Sequence, residues 1–167
     1  MKKHITLSAM AIALLSTANV QAADSLEEMF SKGKTSGEIR MFYIDRSDRS
    51  ANNNLTATAI GGNLKFETAS LNGISLGVAG YTTNRIFKGL EDANTPNNTL
   101  LNNAGESYSI LGEAYVKLDL KDMGTKTDIT AGRQKLNTPL AGADDSRMLP
   151  NLLKHMFFTI KILQTLR

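Results

Sequence analysis

The sequence predicts an all-β protein whose strands form an antiparallel sheet of the membrane-barrel type, preceded by a short helix. Three observations predict it. Five segments alternate apolar and polar residues, the connections between them alternate between long and short, and an export leader precedes them. Alternation with a period of two is typical of β-strands, because successive side chains point to opposite faces of a sheet.

Residues 1–22 match a secretory signal peptide. Lys2 and Lys3 supply the positive start, residues 5–15 are largely apolar, and Val20 and Ala22 suit a cleavage site. The alternative is a transmembrane anchor, but the apolar stretch is too short to span about 30 Å of hydrocarbon. The leader predicts export of a bacterial type.

The composition excludes disulfide scaffolds and Cys-based zinc sites, since the chain has no Cys. The two histidines, His4 and His155, lie in the leader and in the C-terminal tail, so no metal site and no cofactor is expected. Five of the 19 basic residues also lie in these two end segments, which leaves 14 Lys and Arg against 16 acids. Because these charges are dispersed, no nucleic-acid partner is expected.

The mature chain begins with a predicted helix over residues 25–31. Ser25 is a good N-cap and Glu28 follows three residues later, which is the capping-box pattern. The five predicted strands then cover residues 38–45, 59–67, 74–83, 109–120 and 127–135.

The alternation assigns faces to these strands. In the first, Ile39, Met41 and Tyr43 share one face, and Glu38, Arg40, Phe42 and Ile44 share the other. In the fourth, the even-numbered residues from Ile110 to Leu120 are expected on the apolar face. Ser109, Leu111 and the charged residues are expected opposite them.

The connections carry an independent signal. Residues 46–54, 84–107 and 136–150 are long, polar loops that contain all three prolines, whereas Asn72-Gly73 and residues 121–126 are short turns. Outer-membrane barrels place long loops outside and short turns inside the cell envelope, and their strands alternate apolar-out with polar-in. The strand order here puts every long loop on one side.

The polar face would then line a water-filled lumen. The candidate pore-wall residues are Lys65, Glu67, Glu113, Lys117 and Asp119. The alternative is a soluble sheet with one solvated face.

The stretch after the fifth strand carries a resemblance. Four short motifs carry it: Gly132-Arg133-Gln134, Leu-Asn-Thr-Pro at 136–139, Asp-Asp-Ser-Arg-Met at 144–148, and Pro150-Asn151. Together they resemble the OprD family of outer-membrane porins, in its epsilonproteobacterial form. The resemblance extends over residues 25–151 and is most specific in this loop.

The resemblance implies a closed barrel of about 18 strands, of which about five are present, located in the cell outer membrane. It implies passive diffusion of small hydrophilic solutes, carboxylates among them. Its partners would be outer-membrane lipid and the barrel-assembly machinery. It also implies that residues 136–150 fold into the lumen as a constriction, with Asp144, Asp145 and Arg147 as the candidate selecting residues. The two acids equally suit a turn that caps backbone N–H groups.

The chain therefore divides into a leader (1–22), the N-terminal part of a barrel (23–151) and an atypical tail (152–167). The tail has no acid, departs from the family pattern and ends without an aromatic residue, which suggests a frameshift near Leu152. The alternative is a genuine terminal strand or an amphipathic helix. Because barrel diameter grows with strand number, five or six strands are not expected to form a channel.

The sequence thus favours a truncated porin fragment that does not conduct by itself. The alternative function is a small secreted or periplasmic β-sheet domain that binds a ligand. An enzyme is not predicted, because the adjacent Asp144 and Asp145 are not a spaced carboxylate pair and no nucleophile–base set is present.

Overall fold

The computed structural model describes residues 5–14, 22–48, 53–86, 99–120, 127–135, 142 and 147–160. Within these ranges the chain is all-β with one short helix, as the sequence predicted. The elements are β1 (Ile5–Leu14), β2 (Ala22–Ala23), α1 (Leu26–Ser31), β3 (Lys34–Asp48), β4 (Asn53–Glu67), β5 (Ser70–Leu71), β6 (Ile74–Arg85), β7 (Tyr108–Asp119), β8 (Thr127–Lys135) and β9 (Leu152–Ile160).

The strands form one sheet that curls into a half-barrel. The order is β1-β3-β4-β6-β7-β8-β9, and every neighbouring pair along this path is antiparallel. The two-residue strands β2 and β5 pair in parallel beside the start of β6. Since each long strand pairs with the long strand next to it in the chain, the sheet is an up-and-down meander with short-range connections.

All five predicted strands are present, as β3, β4, β6, β7 and β8. The fifth has the predicted bounds, Thr127–Lys135. The predicted turn before β6 is also confirmed: Asn72 and Gly73 have φ values of 51° and 80°, the left-handed conformations that a two-residue hairpin turn of the Asn-Gly type requires.

One predicted loop is wrong. Residues 46–54 were expected to be a long polar loop, but β3 continues to Asp48 and β4 begins at Asn53, and these two residues pair with each other. The ladder is made by backbone groups, so polar side chains do not prevent strand pairing once the neighbouring strand holds the register. Loop length therefore alternates less clearly with strand order than the sequence suggested.

The predicted face assignment of β7 is also wrong at its beginning. A β-bulge lies opposite Ala79 and Gly80, which pair with Glu113 and Leu111 and leave Gly112 as the extra residue. Because a bulge adds one residue, the alternation reverses across it. Leu111 consequently lies on the exposed apolar face, contrary to the prediction. Ile110 pairs with Tyr81 and lies on the opposite face.

An arginine supports this bulge from the neighbouring strand. Arg133 of β8 pairs with Ala114, beside the bulge, and its Nη2 donates a hydrogen bond to the carbonyl oxygen of Leu111. A bulge disrupts the backbone hydrogen bonds around it. The Arg133 side chain therefore supplies a hydrogen-bond donor to the Leu111 carbonyl oxygen beside the bulge.

The predicted capping box is present in a modified form. Ser25 Oγ accepts a hydrogen bond from the Glu28 backbone N–H at 3.2 Å. Glu28 Oε2 accepts from the Asp24 N–H at 3.0 Å and from Lys32 Nζ at 2.8 Å. The hydrogen bonds from Lys32 and from the Asp24 N–H hold the pKa of Glu28 below its ordinary value.

The leader and the tail supply the two edges of the sheet. β1 pairs with β3 from Ile5 opposite Arg46 to Leu14 opposite Gly37, and β9 pairs with β8 over all nine of its residues. The tail thus takes the strand alternative, while leader cleavage and a frameshift remain predictions. Cleavage after Ala22 would remove β1 and leave β3 at the edge.

Two apolar clusters lie in different places. The larger fills part of the concave face of the sheet, and the smaller joins Ala23 and Met29 to Ala69 beneath α1. The Ala69 N–H donates to the Met29 carbonyl oxygen at 2.8 Å, which ties α1 to the sheet. In the part of the chain that the structure describes, no helix is long and apolar enough to cross a membrane.

Candidate functional site

The two faces of the curled sheet differ sharply in polarity. Large apolar side chains on the convex face are exposed, with Leu64 at 64%, Ile39 at 51% and Val78 at 42% of their full accessible area. Cross-strand neighbours such as Ile74 and Leu118 make the exposed apolar surface continuous between strands. The concave face instead carries charged residues and tyrosines, so it is the candidate functional surface.

A hydrogen-bonded ion pair spans three strands of the concave face. Lys65 of β4, Ala79 of β6 and Glu113 of β7 lie in one cross-strand row. Lys65 Nζ reaches over the small Ala79 side chain to Glu113 Oε2, at 3.1 Å. Tyr81 donates its hydroxyl to Glu113 Oε1 at 2.6 Å. The Glu113 side chain is only 4% exposed, so these two donors provide the stabilisation that a buried carboxylate requires.

The next row repeats the arrangement with a glycine at its centre. Glu67, Gly77 and Tyr115 are cross-strand neighbours, and the Tyr115 hydroxyl donates to Glu67 Oε2 at 2.5 Å. A Cβ atom on Gly77 would lie 2.1 Å from the Tyr115 ring. Lys65 Nζ lies 5.0 Å from the centroid of the same ring. The small residues of β6 therefore allow long side chains from β4 and β7 to meet above them.

The structure brings together three of the five predicted pore-wall residues, namely Lys65, Glu67 and Glu113. The other two lie nearer the α1 end of β7: Lys117 is half-buried opposite Thr130, and Asp119 is paired with Asp128. Sequence reasoning did not select the two tyrosines. Their position in the alternation could have identified them. Tyr81 lies on the same face of its strand as Ser75, Gly77 and Ala79, and Tyr115 lies on the same face as the charged residues of β7.

Arg40 is a third residue that sequence reasoning did not select. Its side chain is buried on the concave face of β3, with Nε 3.0 Å from Glu38 Oε1 and the guanidinium 5.0 Å from the centroid of the Phe42 ring. Its Nη1 donates to the carbonyl oxygen of Arg147 at 3.1 Å. Arg40 thus links β3 to the segment after β8.

An apolar patch lies beside this arginine on the concave face. Four loop residues, two before β7 and two after β8, are buried against small and aromatic residues of β3, β4 and β6. The patch consists of Leu100, Leu101, Met148 and Leu149 packed on Phe42, Ile44, Ala57, Ala59, Ala79 and Tyr81. These four loop residues therefore lie inside the curve of the sheet.

The predicted constriction residues have different outcomes. Arg147 is exposed, and its backbone carbonyl accepts the hydrogen bond from Arg40. Asp144 and Asp145 lie outside the residues that the structure describes. Met148 and Leu149, which the sequence analysis did not select as site residues, bury their side chains against the sheet.

The charges of the concave face are largely satisfied within the protein. Arg40 holds Glu38, and Lys65 holds Glu113. Among the described residues, no group of three or more His, Asp and Glu is arranged to hold a metal ion. The described part of this face therefore presents hydroxyl and carboxylate groups that are already engaged in hydrogen bonds and ion pairs. No protein-family model, curated protein or solved structure matches the chain.

Proposed function

We propose that this chain is the N-terminal part of an OprD-like porin of the outer membrane, which admits small hydrophilic solutes by passive diffusion. The observation that carries the proposal is the inverted polarity of the sheet: its convex face is apolar and exposed, while its concave face holds the charged network. A strand in a lipid-spanning barrel alternates in this sense, with apolar residues outward and polar residues toward the lumen.

The energetics support a lipid environment for the convex face. Leaving a large apolar side chain fully exposed forfeits about 1.5–3 kcal/mol relative to burying it. Leu64 is 64% exposed, and partly exposed apolar side chains recur along β3, β4, β6 and β7, so each forfeits a part of that free energy. Exposed contiguous apolar surfaces usually mark a protein or membrane contact. A curled antiparallel sheet pairs the backbone groups of its inner strands, and closure of the barrel by further strands would pair those of its two edges, as hydrocarbon requires.

The chain is not expected to conduct by itself. Barrels of about eight strands have interiors just wide enough to be filled by side chains, and aqueous channels need about 16–18. A sheet with the strand order β1-β3-β4-β6-β7-β8-β9 would supply less than half of such a wall.

The solutes would meet hydrogen-bonding groups more often than free charges. The resemblance implies carboxylate solutes, but Arg40 and Lys65 already hold Glu38 and Glu113. A carboxylate solute would have to displace these partners, at the cost of a buried, unpaired carboxylate. On this part of the wall we therefore favour neutral, hydroxyl-rich solutes over anions.

A second candidate is a small secreted or periplasmic β-sheet domain that binds a ligand. The apolar patch of Leu100, Leu101, Met148 and Leu149 favours it, because a soluble half-barrel would need such residues to fill its concave side. In that case the convex face would be covered by a partner protein.

The test is to express the 167-residue chain with its leader in a Gram-negative host and separate the envelope fractions. We expect it in the outer membrane, with unheated and heated samples migrating differently on gels, and no step conductance in planar bilayers. Recovery in osmotic-shock fluid would reject the membrane proposal and support the second candidate. Discrete channels from the purified chain would reject the claim that it is non-conducting.

A further inference from the structure

We propose that the constriction has two parts, in which residues 99–101 before β7 position residues 147–149 after β8. That these loops narrow a pore rests on the proposed function, whereas the contacts between them do not depend on it. The resemblance assigns the narrowing to residues 136–150 alone. The structure adds Leu100 and Leu101 as positioning residues from the preceding long loop.

The two loops contact each other directly. Met148 and Leu149 are 1% and 8% exposed, and Leu100 and Leu101 are 0% and 2% exposed, all within one cluster. The Met148 backbone N–H donates to the Thr99 carbonyl oxygen at 3.3 Å. The segment after β8 therefore rests on the segment before β7 as well as on the strands.

The supporting segment is itself braced. Asn102 Oδ1 accepts hydrogen bonds from the backbone N–H groups of Ala104 at 2.9 Å and Glu106 at 2.8 Å. The Thr83 hydroxyl donates to the Leu100 carbonyl oxygen at 2.7 Å in a buried position. The Thr83 bond fixes Leu100 to the loop end of β6. The two bonds to Asn102 hold the turn that follows Leu101, so the segment keeps its shape.

The segment after β8 is also held by β3, at Arg147. Arg40 donates to the Arg147 carbonyl oxygen at 3.1 Å, while its own charge is met by Glu38 at 3.0 Å. Because the hydrogen bond goes to a backbone carbonyl, it fixes the path of the loop whatever side chain stands at 147. Arg40 is therefore a positioning residue.

The absence of Cys from the chain allows a direct test by thiol labelling. The reporter is Met148→Cys, whose position is buried, and the reference is Asn151→Cys, whose position is exposed on the same segment. Both full-length variants are refolded into phospholipid vesicles and treated with a water-soluble maleimide. We expect labelling of Met148→Cys to be at least about tenfold slower than that of Asn151→Cys, because labelling requires local opening.

The segment before β7 is then weakened without touching the reporter. Asn102→Ala removes the two hydrogen bonds accepted by its side chain, and the matched control is its exposed neighbour, Asn103→Ala. We expect Asn102→Ala to accelerate labelling of Met148→Cys by about tenfold, with far-UV circular dichroism unchanged, and Asn103→Ala to leave the labelling rate as it was.

Two results would overturn the inference. One is equal labelling of the buried and exposed thiols in the parent background. The other is unchanged protection of Met148→Cys in the folded Asn102→Ala variant. Flotation of the same vesicle samples tests the membrane proposal separately. If Met148→Cys is protected and Asn102→Ala removes that protection, but the chain does not float with the vesicles, the contact between the two loops stands and the porin proposal is rejected.

Discussion

Replacing Val78 by arginine distinguishes an apolar face in lipid from an apolar face in water. Val78 lies at the centre of the convex apolar run of β6, between Leu76 and Gly80, and its cross-strand neighbours are Phe66 and Ala114. The Val78 side chain is 42% exposed, so an arginine there meets little steric resistance. Its effect therefore depends on the surroundings of the sheet.

The two environments predict different magnitudes. An arginine near the midplane on the lipid face of a membrane barrel costs about 2–4 kcal/mol, which is a factor of about thirty to several hundred in the folding equilibrium. On an exposed face of a soluble sheet, substitutions usually change stability by about 0.5 kcal/mol or less. A charge there would also reduce self-association through the apolar surface.

The assay is folding of the full chain from urea into phospholipid vesicles, followed by far-UV circular dichroism because the chain has no Trp. Asn103→Arg, at an exposed loop position, controls for the added charge. We expect a lower free energy of unfolding for Val78→Arg only. If Val78→Arg folds as well as the control, or becomes more soluble and more stable, lipid does not face this surface and the porin proposal is wrong.

Three further predictions concern the concave face and α1. Gly77→Ala should lower the urea midpoint because the added methyl would meet the phenol ring that crosses it, whereas Gly80→Ala, whose Cβ would have nothing within 4 Å, should be tolerated. Tyr81→Phe should cost about 1–3 kcal/mol in vesicle unfolding, since it removes one donor from a buried carboxylate. The Glu28 carboxyl should titrate below its ordinary pKa in an NMR experiment, and Lys32→Ala should raise that pKa. Because the folded pKa is the lower one, this contribution to helix stability is present above the unfolded pKa of about 4.3 and is lost as the pH falls through the folded value.

The parts of the fold that follow local rules were predictable from the sequence. The faces of β3 were assigned correctly because Ile39 and Met41 alternate with Arg40 and Phe42, and the strand has no irregularity there. The turn before β6 was predictable because Asn72 and Gly73 tolerate positive φ. In each case the information lies within a few residues of the feature.

The errors arise where distant strands decide. Gly112 is only a weak local signal of a bulge, and the bulge is located by the register that β7 must match with β6 on either side of Ala79. Strand ends near Asp48 and Asn53 extended for a similar reason, since each supplies the backbone partner of the other. The positioning role of Arg40 required a carbonyl 107 residues away in the sequence. Such features depend on the assembled sheet.

The apolar residues on the polar face of β3 could nevertheless have been interpreted from that strand alone. Phe42 and Ile44 stand on the concave parity of β3, where a water-filled lumen would leave each exposed at a cost of about 1.5–3 kcal/mol. The structure buries both of them, at 2% and 6% exposure, under Leu100, Leu101, Met148 and Leu149. Apolar residues on the otherwise polar face of a strand therefore mark where a loop folds inward over the sheet. In this chain they mark it at the loop end of β3.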